Sequence, residues 1–218
     1  MLRLIQKNSV FYILYAGILM PLMALYLINT RDALDGMGTL FLGQWLLLLV
    51  AGSLMVVEQN EKKYNGYAFL HTLPLTSRQI VGSKFLLVSI AVCILFISEN
   101  IILLFMRGTP ALLKTARIFI LLSADGALIL AALLYVILFK FGSSKASLFA
   151  WIVLPSIFIL PIPIVELFIR KGSPNPAEII DRLLNIPMVL WIFVTLFTFV
   201  CFYMFFRFAV KAEKIRWR

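Results

Sequence analysis

Residues 39–106 read TLFLGQWLLLLVAGSLMVV, then EQNEKKYNGYAFLHTLPLTSRQIVGSK, then FLLVSIAVCILFISENIILLFM. The outer pieces, 39–57 and 85–106, contain a single charged residue, Glu99. Each is long enough to cross about 30 Å of hydrocarbon as a helix rising about 1.5 Å per residue, and a helix satisfies its own backbone groups there. The piece between them, 58–84, is polar and must sit in water or at the interface. The region therefore reads as a membrane hairpin of two spans joined by a substantial polar connection.

Working outward, the same pattern recurs at 9–28, 118–139, 147–169 and 187–206, which makes six helical spans in an all-α integral membrane protein. Composition agrees: 62% of the 218 residues are apolar and 14% charged, against roughly 45–50% and about 25% in a soluble domain. A water-soluble globule is excluded. Six spans leave only about 100 positions for every end and connection, so 1–218 is expected to be one transmembrane domain without a second, soluble catalytic domain. The first run follows Arg3 and Lys7 like a signal peptide, but its apolar core is too long and no small-x-small site follows, so it reads as a retained anchor.

The net charge of +10 suggests nucleic acid in a soluble protein, but here the basic residues flank hydrophobic runs, so no nucleic-acid partner is expected. With the N-terminus in the cytoplasm, thirteen Lys and Arg fall inside and seven outside, so the positive-inside rule puts both termini in the cytoplasm. Cys93 and Cys201 lie within apolar runs without metal or redox spacing and read as core residues of a reduced protein. Pro155, Pro161 and Pro163 fall within the fifth run and predict a kinked or broken span. Ser123, Ala127 and Ala131 recur at i, i+4, i+8 in the fourth, a surface for close helix approach within the protomer or against a second copy.

The connection 58–84 is the one long cytoplasmic segment of this topology. Glu58 and Lys62 are spaced to pair on a helix, and Tyr64 and Tyr67 share a face suited to the interface. Pro74 ends that element, and Thr76 followed by Gln79 is a capping-box pattern that opens a helix running on into the third span. Physics alone predicts a short helix, a sharp Leu73-Pro74 turn and a capped restart, a cytoplasmic elbow. It competes with a plain solvated loop whose Arg78 and Lys84 only set topology.

An acidic residue just past the second span, then Glu61 and Asn65, then the run from Phe69 through Leu73, Pro74, Thr76, Ser77 and Arg78 to Ile80, Val81 and Lys84 resembles the signature of type-2 permeases of ATP-binding-cassette (ABC) transporters. The resemblance implies six spans, cytoplasmic termini, and an elbow that acts as a coupling helix docked on a separate cytoplasmic ATPase subunit. It implies contact or shaping roles there for Glu58, Glu61, Leu73, Pro74, Ser77 and Arg78, pairing with a second permease as a homo- or heterodimer, membrane lipid as surroundings, and an export function in a bacterial cytoplasmic membrane.

No G-x-x-x-x-G-K-[ST] loop occurs in the sequence, so no cofactor is expected on this chain and ATP is expected on the partner. His71 is the single histidine and lies in the elbow, and no metal or catalytic constellation is legible, so an enzyme is not expected. Glu166 is four residues from Arg170 and reads as a helix pair at the lipid boundary. Glu99 and Asp125 lie about 10 Å below the outer end of their spans, where a charge costs on the order of 2.5–3.5 kcal/mol unless paired, protonated or hydrated. They line a polar outer vestibule or pair with basic residues of neighbouring helices. The alternative function is an ion-coupled secondary transporter or channel that uses these acids without ATP.

Overall fold

A computed structural model of the chain describes residues 75–105, 110–142 and 188–216 continuously, with 50, 52, 54, 58–59, 63, 72, 144–146, 148–149 and 152 besides. Its long elements are α1 (Ser77–Phe105), α2 (Pro110–Phe141) and α3 (Met188–Arg216), and among the described residues all regular structure is helical. Each is long and apolar enough to cross a membrane. They correspond to the third, fourth and sixth expected spans. Val50, Gly52 and Leu54 are helical within the second. The first span, the proline-dense piece and most of the fifth lie outside the described residues.

All three helices outrun their apolar cores. α1 starts at Ser77, where the capping-box pattern puts it and ahead of its apolar run, α2 starts at Pro110 rather than 118, and α3 continues to Arg216 rather than stopping at 206. An apolar run measures the part that needs lipid, whereas a helix continues until its sequence breaks it. Proline is well placed at Pro110 because a first helical residue has no intrahelical use for its N–H. Past Phe206 no proline or glycine intervenes. α2 ends where Gly142 adopts a positive φ of 92° and donates its N–H to the Leu138 carbonyl at 2.9 Å, an αL helix end.

Contacts between named side chains set the directions. Phe85 at the start of α1 meets Tyr135 near the end of α2, while Leu103 near the end of α1 packs with Ala116 and Ile120 near the start of α2. The two helices are antiparallel. Thr195 of α3 reaches Asp125 of α2, and Phe202 and Phe206 reach the same Phe85 that meets Tyr135, so α3 runs parallel to α2 and antiparallel to α1. One end of the bundle therefore gathers the start of α1 with the ends of α2 and α3.

α2 and α3 share the most extensive contact of the three helix pairs, and small residues contribute to the buried core on α2. Ala127 and Ala131 are buried, with Ala124 and Ala132 beside them and Ala209 on α3. This settles the alternative left open by the spacing: Ala127 and Ala131 of the small-residue stripe are used within the chain. Membrane helices gain nothing by hiding apolar surface from lipid, so their association rests on such close van der Waals packing. Cys93 corrects the expectation of two core cysteines, because it is exposed on α1, while Cys201 is half-buried, and neither is in a disulfide. An apolar neighbourhood in a membrane sequence does not distinguish core from lipid-facing surface.

Ala127→Leu is expected to overpack the bundle and lower stability by roughly 1–3 kcal/mol, whereas Leu196→Ala on the exposed face of α3 should leave the melting temperature in detergent nearly unchanged. Equal effects would contradict the packing described.

Candidate functional site

The gathered end of the bundle is built first by the capped start of α1. Thr76 accepts at its side-chain oxygen from the Gln79 N–H at 3.3 Å, and the Gln79 side-chain oxygen accepts from the Thr76 N–H at 2.9 Å and from its hydroxyl at 3.1 Å. This is the capping box expected from the spacing, and it satisfies donors that would otherwise be orphaned at a helix start. Leu75 and Thr76 are non-helical and Ser77 opens the helix half-buried. Arg78 is thereby held exposed on the first turn. Glu58, Gln59, Lys63 and Thr72 of the elbow are helical, while Glu61, Leu73 and Pro74 lie outside the described residues.

Two turns into α1, Lys84 is only 3% exposed and forms a salt bridge with Glu58. This differs from the local Glu58–Lys62 pair suggested by spacing; Lys62 itself lies outside the described residues. The reason for the longer pairing is dielectric. A lysine carried into the bundle needs a counter-charge far more than one at the surface does. The ammonium also lies 5.8 Å from the centroid of the Tyr135 ring, within cation–π range.

The next residue, Phe85, joins the three helices. Its ring centroid is 5.5 Å from Tyr135, 5.1 Å from Phe202 and 5.4 Å from Phe206, in tilted or edge-on arrangements that suit aromatic quadrupoles. Charge pair and aromatic junction thus sit at adjacent positions and link Glu58 to α1, α2 and α3. Sequence reasoning placed Glu58 in the elbow but did not find Lys84, Phe85 and Tyr135 as its continuation. The available signal was a lysine directly before an apolar run, facing a glutamate directly after the preceding one, which a helical hairpin brings to the same end.

Deeper in the bundle most polar side chains are returned to their own helix. Ser89, Ser98 and Thr198 donate to carbonyls four residues back, and so does the Asn100 amide. The two acids are exceptions. Asp125 is 5% exposed and accepts a hydrogen bond from the Thr195 hydroxyl at 3.1 Å. Glu99 is fully buried, and neither of its carboxyl oxygens has a hydrogen-bond partner among the described residues. The pairings 85 with 135 and 103 with 116–120 place residue 99 about opposite residue 121, roughly one helical turn from Asp125. Among the described residues no basic side chain pairs with either acid; Arg117 is exposed, and Arg107 lies outside the described residues.

A family model described as ABC-2 family transporter protein matches residues 2–212, nearly the whole chain. No curated protein and no solved structure matches.

Removing one member of the buried pair, by Glu58→Gln or Lys84→Met, should cost about 3–5 kcal/mol by stranding the other charge. The double variant Glu58→Leu/Lys84→Met should regain most of that loss. Additive loss in a double-mutant cycle of detergent melting would show that the two residues act independently.

Proposed function

The chain belongs to the ABC-2 family of transporter proteins, and on that premise we propose that it is the membrane-spanning permease subunit of an ATP-driven exporter. Two permeases form the translocation path and a separate cytoplasmic ATPase powers it. Members of this family are membrane transport components and normally work with an ATPase subunit. The absence of a phosphate-binding loop from this sequence agrees with ATP hydrolysis in another chain. Both termini and the elbow lie in the cytoplasm on this reading. It is supported by the basic residues Arg78, Lys84, Lys140, Lys145, Arg207, Lys211 and Lys214 at the gathered end of the bundle. There Lys140 and Lys145 lie 5.1 Å and 5.4 Å from the Phe141 ring, as expected of an interfacial anchor.

The observation that carries the reading beyond family membership is the mechanical continuity from elbow to bundle. The ATPase presses on the elbow around Glu61, Leu73, Pro74, Ser77 and Arg78. The capping box makes the start of α1 stiff, the Glu58–Lys84 pair ties the elbow to α1, and Phe85 passes the displacement to α2 and α3. A solvated loop would need neither a buried ion pair nor an aromatic junction at its exit.

Glu99 and Asp125 line an outer vestibule in the open state of the transporter. In the state described here the chain's own helices enclose them. The rival, an ion-coupled transporter or channel without ATP, takes its support from the burial of Glu99 without a hydrogen-bond partner among the described residues. Family membership favours the ATP-driven reading.

The protein is expected to co-purify with a soluble P-loop ATPase, and Arg78→Glu or Pro74→Ala should leave it inserted while uncoupling ATP hydrolysis from transport in proteoliposomes. Purification alone together with transport down an ion gradient would sink the proposal. For the acids, Glu99→Cys and Asp125→Cys should react with a membrane-impermeant thiol reagent from outside during turnover, in a background with Cys93 and Cys201 replaced by serine. Protection in both resting and working states would exclude the vestibule.

A further inference from the structure

The first turn of α1 and the last four turns of α3 border a groove of about 730 Å³. Four cations border it: Arg78, Arg207, Lys211 and Lys214. Among the described residues no carboxylate lines it. The acid on this part of α3, Glu213, is buried and absent from the lining. The Arg207 guanidinium donates one N–H to the Tyr203 hydroxyl at 3.4 Å, which among the described residues leaves most of its donor fork unspent. No carboxylate among the described residues pairs with any of the four cations.

The groove also has a direction. Tyr203, Arg207, Lys211 and Lys214 follow one another at helical spacing on one stripe of α3, about 16 Å long. The stripe begins aromatic and ends cationic. Met204 and Phe208 line the same groove as exposed apolar side chains. Toward the bilayer centre the surface of α3 continues as exposed Phe197, Phe199 and Val200. An apolar slot open to the lipid-facing side, ending in a cluster of cations at the end of a span, has the profile of a molecule with acyl chains and a phosphate headgroup.

We propose that this groove is a binding site for an anionic phospholipid of the leaflet on that side, its phosphate held by Arg207, Lys211 and Lys214 and its chains lying along Tyr203, Met204 and Phe208, with Arg78 at the rim left for the ATPase contact. Arginine favours this occupant because its planar fork matches phosphate oxygens in pairs. A headgroup with two phosphates, as in cardiolipin, balances this cluster of cations better than one with a single phosphate. A docked acidic protein surface would answer the charges, but it leaves the apolar half of the slot and its continuity with α3's lipid-facing side without a role. The inference rests on the chain spanning a membrane and not on its being an exporter.

The test is native mass spectrometry and detergent melting of the full-length protein, with its ATPase if that co-purifies, titrated with cardiolipin, phosphatidylglycerol and phosphatidylcholine. The wild type should bind cardiolipin at least tenfold more tightly than phosphatidylcholine, with phosphatidylglycerol between them, and the preference should weaken with salt. Combined Arg207→Gln, Lys211→Gln and Lys214→Gln, with Arg78 left in place, should erase the preference. Equal binding of anionic and zwitterionic lipid by the wild type overturns the proposal without recourse to any variant. So does a thermal shift by inorganic phosphate alone that equals that of cardiolipin, which would mark a free-anion site. A triple variant that keeps its lipid preference but loses its ATPase overturns it as well, and assigns the groove to protein docking. Loss of lipid preference with ATPase binding retained supports the site and leaves the exporter reading untouched.

Discussion

Lys84 is a charge carried into an apolar bundle, and the arrangement around it follows from the need to neutralise it. An ammonium taken out of water costs several kcal/mol unless a counter-charge and favourable dipoles accompany it. Glu58 supplies the counter-charge and the face of Tyr135 adds a quadrupole. Because Glu58 precedes Lys84 by 26 residues, the pair closes the elbow onto α1. Because Tyr135 also stacks on Phe85, the same requirement brings α2 to the same point, and Phe85 in turn carries Phe202 and Phe206 of α3. One electrostatic constraint thus sets where three helices and the elbow converge.

Away from that convergence the helices obey the physics of a lipid solvent. α3 exposes large apolar side chains such as Phe193, Phe197 and Phe199, and α1 exposes Ile97, Ile101 and Leu104. In water such faces would aggregate, but lipid tails are as apolar as they are, so exposure there carries no penalty. What holds the bundle is close approach at Ala124, Ala127 and Ala131, the aromatic junction, and the Thr195–Asp125 hydrogen bond. Side chains that hydrogen-bond to their own helix, as Ser98 and Asn100 do, contribute nothing between helices and only avoid a cost.

The two ends of the bundle are chemically different, and on the proposed function the difference is a division of labour. One end concentrates cations, a stiff helix start and cross-helix contacts suited to transmitting force. Glu99 lies toward the other end and Asp125 at the middle of α2, acids enclosed by apolar helices, where a change of hydration alters their energy most. A device that converts motion at one end into altered access at the other needs a rigid connection between them. On that proposal the helices of 29 to 32 residues are the connection.

The membrane class, the third, fourth and sixth helices and the capped restart at Thr76 were legible in the sequence, because length, hydropathy and capping are local properties. Hydropathy located the lipid-crossing cores yet fell short of the starts of α1 and α2 and of the end of α3, since polar residues such as Arg207 and Lys211 continue a helix as well as apolar ones. The elbow residues Glu58 and Arg78 stood out by pattern, and the family match over 2–212 agrees with the resemblance they carry. Three matters were decided only by tertiary structure: that Glu58 pairs with Lys84, that the small-residue stripe packs inside the chain, and that Cys93 faces outward while Glu99 is enclosed. The physical reason is the same in each case. A membrane sequence is apolar on every side of its helices, so it determines that they cross but not which face meets a neighbour; that choice is made by contacts between residues distant in sequence, through close packing and the pairing of buried charge.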